Sequence, residues 1–414
     1  MIPLQKRRRP SSETEPDPDK YQPHLKKAKQ QTTAFRLGNW QEYEGSCPVY
    51  KQPKELISYS IDHDRKVWFD NREMKYYYPP GLKNEKLDLN VGYERFLQRD
   101  ESILEHIDTL LDALTEYKTR QSNNTIAESE VHADIITWRG IMTKILCTPY
   151  SRKDAWEFRA TRYNDKIFIE EQSLKDKDVD SESERQKLMS YWGYRFETIC
   201  TVSKAPHEIN SHPENRKELV DRLNQSANTN VQYCVVVKTK LGDSTIIMGA
   251  EVDCCRDTKP NDPVRQPSNY IELKTSRVIE TERQQLSFDR YKLLKFWAQS
   301  FLVGVPRVIC GFRDDEGIVK SITEFKTMEI PRQVRRHENQ TTWNPSVCLN
   351  FANQLLQWIR TNITVNSATT TYAIDFKYPF REIRLYCTDD SNVFLTQRFI
   401  RGRVQHEIGG ERAH

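Results

Sequence analysis

The chain of 414 residues carries 63 Lys/Arg against 59 Asp/Glu, with 37% hydrophobic and 10% aromatic residues, enough apolar content to fill a core. It holds no apolar run of the roughly eighteen residues that a membrane span needs, and its charged N-terminus argues against a signal peptide. Nine cysteines keep neither metal nor disulfide spacing, which points to reduced, mostly buried thiols in an intracellular protein.

The net charge of +4 is local, because residues 1–30 hold eight Lys/Arg against four acids and the rest of the chain is neutral. A nucleic-acid partner would therefore meet a local basic groove and not a globally positive surface. Two basic clusters, Lys6–Arg9 and Lys26–Lys29, flank a Pro-rich acidic spacer and resemble a bipartite nuclear-import signal. Residues 1–33 are expected to be a disordered basic tail, and residues 34–414 a single α/β domain with a mixed sheet flanked by helices.

Past the tail, aromatic-rich segments up to Pro80 predict short strands wrapping the body. Ile103, Ile107, Leu110, Leu111 and Leu114 predict a helix over Ser102–Lys118, and after a polar loop (Gln121–Ser129) a second helix is expected near Ala133–Leu146. Trp156–Glu170 alternates like paired strands, Leu174–Lys187 is a charged inserted loop, and Leu188–Cys200 is helical. The runs Val231–Thr239 and Thr245–Cys254, joined at Leu241-Gly242-Asp243, predict a hairpin. A Pro-rich loop, Arg256–Asn269, leads to a strand at Tyr270–Thr275, and Arg283–Leu302 is a long helix. A strand pair at Val308–Phe312 and Ile318–Phe325, a helix at Phe351–Arg360 and a strand-rich stretch from Tyr372 complete the chain.

The chemistry concentrates in Glu251-Val252-Asp253 and Glu272-Leu273-Lys274. If both triplets lie on strands, residues i and i+2 share a face, which gathers three carboxylates and one amine while Val252 and Leu273 face the core. Such carboxylates repel one another unless a cation lies between them, and a hard divalent metal is the usual occupant of an all-oxygen site. Carboxylates, metal and Lys together supply the parts that attack on a phosphodiester requires. Either triplet alone is common on solvated strands. The apolar run Ile246–Ala250 ahead of Glu251, however, marks an interior strand, where buried carboxylates demand compensation. On the long helix, Lys292, Lys295 and Gln299 share a polar face that could be an RNA-facing surface or an ordinary solvated one. His207 and His212 have no partner at metal spacing, and the lack of a Walker-type glycine loop excludes an NTP-driven motor.

The paired triplets look like a D…(D/E)-x-K nuclease core. Together with Gly193-Tyr194-Arg195-Phe196-Glu197, Thr137-Trp138-Arg139-Gly140 and the helix Lys292–Phe301, they resemble the motifs of the DXO family of RNA 5′-end decapping and exoribonuclease enzymes. The resemblance spans about Ser102 to Cys348. It implies Glu197, Glu251, Asp253 and Glu272 as ligands of two Mg²⁺ or Mn²⁺ ions, with the Leu273 carbonyl completing the shell. It implies Lys274 as catalytic lysine, acting beside Glu251, Asp253 and Glu272, and Arg139 and Gln299 as contacts to RNA, with Lys292 and Lys295 on the same side. For Arg139 the plain alternative is a structural ion pair. The implied activity is hydrolysis of RNA 5′ ends, including triphosphates, incomplete caps and NAD caps, in the nucleus. The fungal nuclear branch of the family also binds a 5′-to-3′ exoribonuclease, so a mainly stabilising partner role is the alternative. A DNA nuclease on the same core is a third reading.

Overall fold

β-branched and aromatic runs build two mixed sheets that meet at the acidic triplets. The computed structural model describes residues 32–81, 86–123, 132–172, 183–334, 343–388 and 393–402. The expected basic tail up to residue 31, the polar segment from residue 124 and residues 174–182 of the expected charged loop lie outside the described residues.

Among the described residues the larger sheet has ten strands. At its centre, Ile135–Trp138 runs parallel to both Lys166–Glu171 and Ser244–Glu251. The hairpin Gln232–Leu241/Ser244–Glu251 turns at Gly242, whose φ of +54° a residue with a Cβ would adopt under strain. Lys54–Ile61 continues the sheet beside Gln232–Leu241. On the other side, Trp156–Tyr163, Tyr372–Phe376, Glu382–Cys387 and Thr33–Arg36 extend it to the edge. The smaller sheet has six strands among the described residues, and in it Tyr270–Arg277 is parallel to Arg307–Arg313 and antiparallel to Cys254–Cys255.

Both faces of the larger sheet are covered, as its near-continuous apolar central strands require. Ile135, Ile246 and Met248 pack into one core with the helices Arg139–Cys147, Leu294–Val303 and Pro345–Asn362. Their neighbours Ile136 and Ile247 point the other way, against the helix Asp108–Asn123. The helix Glu184–Cys200 packs on the smaller sheet, where Phe196 lies over Gly311 so closely that an added Cβ would sit 2.4 Å from its ring.

Four expectations need correction. The first helix begins at Asp108, not Ser102: Asp100 accepts hydrogen bonds from the N–H and hydroxyl of Ser102, and His106 has a φ of +39°, so the chain turns before it can wind. Ile103 and Leu104 are accordingly exposed, whereas Ile107, Leu110 and Leu111 are buried. The expected helix at Ala133–Leu146 is a strand followed by a helix, because β-branched Ile135-Ile136-Thr137 joins the sheet between two parallel neighbours before Arg139 starts the helix. The strand expected to run to Cys254 leaves the larger sheet after Glu251, and Cys254–Cys255 pairs in the smaller one. The long helix is interrupted by a π-helical turn, Phe288–Leu293, between Glu282–Ser287 and Leu294–Val303.

Candidate metal and RNA 5′-end site

Val252 and Asp253 bridge the two sheets, and the site forms at this crossing. The N–H of Val252 donates to the carbonyl of Tyr233 at 2.9 Å, holding the bridge to the hairpin. Val252 is buried, so Glu251 and Asp253 on either side of it face a cavity of about 290 Å³, which Glu197 and Tyr194 also line. Glu251 keeps its carboxylate open to this cleft, where Gln232 donates to its Oε2 at 3.0 Å. Asp253 Oδ2 accepts from the backbone N–H of Leu273 at 2.6 Å, which fastens one acidic triplet to the other.

Glu272 and Lys274 point to one side of their strand, as residues two apart must. Lys274 Nζ lies 2.5 Å from Glu272 Oε1, while Arg139 Nη1 takes Oε2 at 2.8 Å. Glu272 is buried at 1% exposure and therefore depends on both cations. Burial would raise its carboxyl, but Arg139 and Lys274 overcome that and hold it down at about 2. Burial works against the Lys274 ammonium too, yet Glu272 and Asp253 keep it above the usual lysine range.

The same cations act on the other carboxylates too weakly to offset burial and mutual repulsion. Asp253 is pushed up to about 7, by burial first and then by Glu272 and Glu251. Burial, Asp253 and Glu251 push Glu197 well above the carboxylate range, and Glu251, although open to the cleft, is raised by desolvation within its walls and then by Glu272. Glu272 takes both cations, so the protons that relieve repulsion fall to its neighbours.

Among the described residues no three acids, thiols or imidazoles are already closed into a cation cage. Glu272 is drawn onto Arg139 and Lys274, Asp253 onto Leu273 and Glu251 onto Gln232. The donor set still fits a hard divalent ion, since it is all oxygen, opens on a cavity and carries more negative than positive charge.

The ion pair weighed for Arg139 from sequence is present, but it uses one nitrogen of a group with five N–H donors, which leaves the fork free to meet a phosphate. Lys292 Nζ reaches the carbonyl of Thr275 at 3.3 Å, next to Lys274. Lys295 and Gln299 instead line a second hollow of about 240 Å³ beside Gly140, Thr143 and Trp156. Lys292 lies within the π-helical turn, whereas Lys295 and Gln299 lie on the α-helical segment after it. Sequence reasoning missed Gln232, Tyr194, Arg99 and Lys75, which line the acidic cavity. For Gln232 a signal existed, because the hairpin register places Cys234 opposite Glu251 and so carries Gln232 to the site.

Comparisons with known proteins place the chain in a family. Residues 51–400 match the family model described as RAI1-like PD-(D/E)XK nuclease. A protein of Neurospora crassa named decapping nuclease RAI1 is 39% identical, over 91% of this chain and 89% of its own. The human decapping and exoribonuclease protein is 36% identical over 78% of both chains. Among solved structures, Candida albicans Rai1 in complex with pU5 and Mn²⁺ covers 90% of this chain and 99% of its own, with a TM-score of 0.80 and 29% identity. Scheffersomyces stipitis Rai1 in complex with 3′-NADP⁺ and calcium covers 89% and 99%, with a TM-score of 0.76 and 28% identity. The expected nuclease core and the expected family are thus both borne out, and the chain belongs to the RAI1-like PD-(D/E)XK nuclease family.

Proposed function

We propose that the protein is a metal-dependent decapping hydrolase acting on RNA 5′ ends. The observation that carries this reading is the convergence of Glu197, Glu251 and Asp253 on one cavity, backed by the Arg139–Glu272–Lys274 cluster. The names of the relatives support the reaction, and the pU5–Mn²⁺ complex of the Candida Rai1 supports both the divalent cation and the polymer. Glu197, Glu251, Asp253 and Glu272 would hold the ions, with the Leu273 carbonyl as a further donor. We assign two ions, Mg²⁺ or Mn²⁺. When bound, they supply an activated water and a counter-charge for the leaving oxygen. Lys274 holds its proton beside the reacting phosphate and balances the negative charge that develops there. Arg139 forks onto phosphate oxygens with the N–H groups that Glu272 does not use. The substrates assigned are 5′-triphosphate RNA, incompletely capped RNA and NAD-capped RNA, in RNA 5′-end quality control.

The basic clusters Lys6–Arg9 and Lys26–Lys29 support a nuclear location. They suit a second role beside hydrolysis, as binding and stabilising partner of a nuclear 5′-to-3′ exoribonuclease. RNAs of one sequence with triphosphate, unmethylated-cap, methylated-cap, NAD or monophosphate ends test the first reading, in Mg²⁺ or Mn²⁺ beside Asp253→Ala. Release of a small product that Asp253→Ala abolishes is expected. No turnover of any end would sink the hydrolase and leave the partner role, which copurification of an exonuclease with wild type and Asp253→Ala alike would support.

A further inference from the structure

The loop Arg256–Asn269 is the covalent link between the two acidic triplets, and near its start the largely buried cation of Lys259 is fully engaged. Lys259 Nζ donates to Glu55 Oε1 at 2.6 Å, to the Ser58 hydroxyl at 2.9 Å and to the Tyr233 hydroxyl at 2.9 Å. An ammonium has three N–H donors, and all of them are used. The other oxygen of Glu55 accepts from the Tyr270 hydroxyl at 2.8 Å, and the Tyr233 hydroxyl donates to Asn71 at 2.7 Å. Glu55, Tyr233 and Tyr270 are each no more than 3% exposed, and the Lys259 side chain is 11% exposed.

The two tyrosines that close this network lead directly to the metal-site segments. The backbone carbonyl of Tyr233 holds the N–H of Val252, between Glu251 and Asp253. Tyr270 lies two residues before Glu272 on the same strand, so its side chain shares the face of the strand that carries Glu272 and Lys274. Glu55 belongs to the larger sheet and Tyr270 to the smaller one, so the network spans the crossing at which the site forms. A buried ion pair gives little stability over an apolar pair of equal volume, because desolvation offsets the attraction. What a fully satisfied network does supply is a single geometry.

We infer that Lys259, through Glu55, Tyr233 and Tyr270, is a positioning residue that sets the spacing between the Glu251–Asp253 and Glu272–Lys274 segments and so tunes the affinity of the metal site. This rests on the metal reading given above. Of these four residues Tyr233 lines the cavity that Glu251 and Asp253 face and Lys259, Glu55 and Tyr270 do not, so Lys259 acts on the site through the network and the strands and not by its own contact with substrate.

The test is calorimetric titration of the full chain with Mn²⁺, beside thermal melts and steady-state kinetics. Lys259→Met is expected to fold and to bind Mn²⁺ about tenfold more weakly, the lower end of what outer-shell changes cost metal sites. Its kcat should fall while its KM for RNA holds. Tyr270→Phe removes one hydroxyl and no charge, and is expected to weaken Mn²⁺ binding by a smaller factor, with a modest fall in melting temperature because buried Glu55 loses a donor. If Lys259→Met lowers only the melting temperature and leaves the Mn²⁺ Kd and kcat at wild-type values, the inference is overturned. If Lys259→Met does not fold, a wild-type Mn²⁺ Kd in Tyr270→Phe overturns it equally. Wild-type protein that binds Mn²⁺ no better than Asp253→Ala would instead overturn the metal reading, and this inference with it.

Discussion

Arg139 and Glu272 stand 133 residues apart in the chain, yet the guanidinium Nη1 lies 2.8 Å from a carboxylate that is almost wholly buried. Removing the guanidinium leaves Glu272 with Lys274 as its single cationic partner. Breaking a buried pair costs several kcal/mol when nothing replaces it, and the remaining lysine reduces that to about 2 kcal/mol here. Arg139→Ala should therefore lower the melting temperature of the metal-free protein and, by the loss of the phosphate contact proposed for it, depress kcat/KM by at least about a hundredfold. Denaturant unfolding in EDTA measures the first effect. A variant as stable as wild type would show that Glu272 does not need this partner.

The surplus of carboxylates makes metal binding depend on pH. Asp253 sits at about 7 in the metal-free protein and Glu197 is higher than usual, so a cation must displace protons to enter. Affinity for Mn²⁺ should strengthen as pH rises through 7 and then level off. Stability runs the other way without metal: a carboxyl raised above its unfolded value contributes stability at low pH and loses it as pH climbs through about 7. Glu272 has the opposite sign, but its contribution changes only as pH falls from the unfolded carboxylate range toward about 2, so it does not compensate at neutrality. Melts in EDTA should accordingly fall between pH 5 and pH 8, by the shift of Asp253. Melts in saturating Mn²⁺ should not, and calorimetry showing pH-independent Mn²⁺ affinity would contradict the argument.

How much of this was legible in the sequence depended on whether the signal was local. Glu272 and Lys274 share a face because they are two apart on a strand, and the turn at Gly242 fixes the register that sets Glu251 opposite Cys234. Both follow from counting residues. The sequence places Arg139 inside a helix because Ile135, Trp138, Met142 and Ile145 keep helical spacing across Ala133–Leu146, and a buried strand leading into a helix has no pattern that separates it from one longer helix. Its position at the head of the helix, where it meets Glu272, came only with the parallel pairing on both sides. Glu197 has no mark in periodicity or spacing, and only the family resemblance of Gly193–Glu197 points to it. Its approach to Asp253 is set by the packing of Phe196 on Gly311, a contact between a helix and a strand more than a hundred residues apart.

That contact gives a prediction of its own. Phe196 is fully buried, and a Cβ at Gly311 would come within 2.4 Å of its ring, so Gly311→Ala must push the helix outward. Overpacking of this kind costs about 1–3 kcal/mol, and Glu197, next to Phe196, should retreat from the other acids. Both stability and Mn²⁺ affinity should fall, and adding Phe196→Leu should recover part of each, a coupling that a double-mutant cycle of melts and calorimetric titrations measures. Strict additivity would mean that the helix is not held through this contact.

Lys295 offers the contrasting case. Its pairing with Asp154 at 3.4 Å joins two side chains that are each more than half exposed, so Lys295→Ala should change stability by less than about 0.5 kcal/mol. Lys295 faces the second hollow with Gln299 and not the acidic cavity, so Mn²⁺ affinity should stay at the wild-type value. What should change is binding of a long RNA, which weakens to about the same degree for every sequence and loses roughly one unit of salt dependence, as a single phosphate contact would. Affinities for pU-type oligonucleotides of increasing length at several salt concentrations measure this. An unchanged salt slope would place the RNA path elsewhere and leave the polar face of the helix as a solvated one.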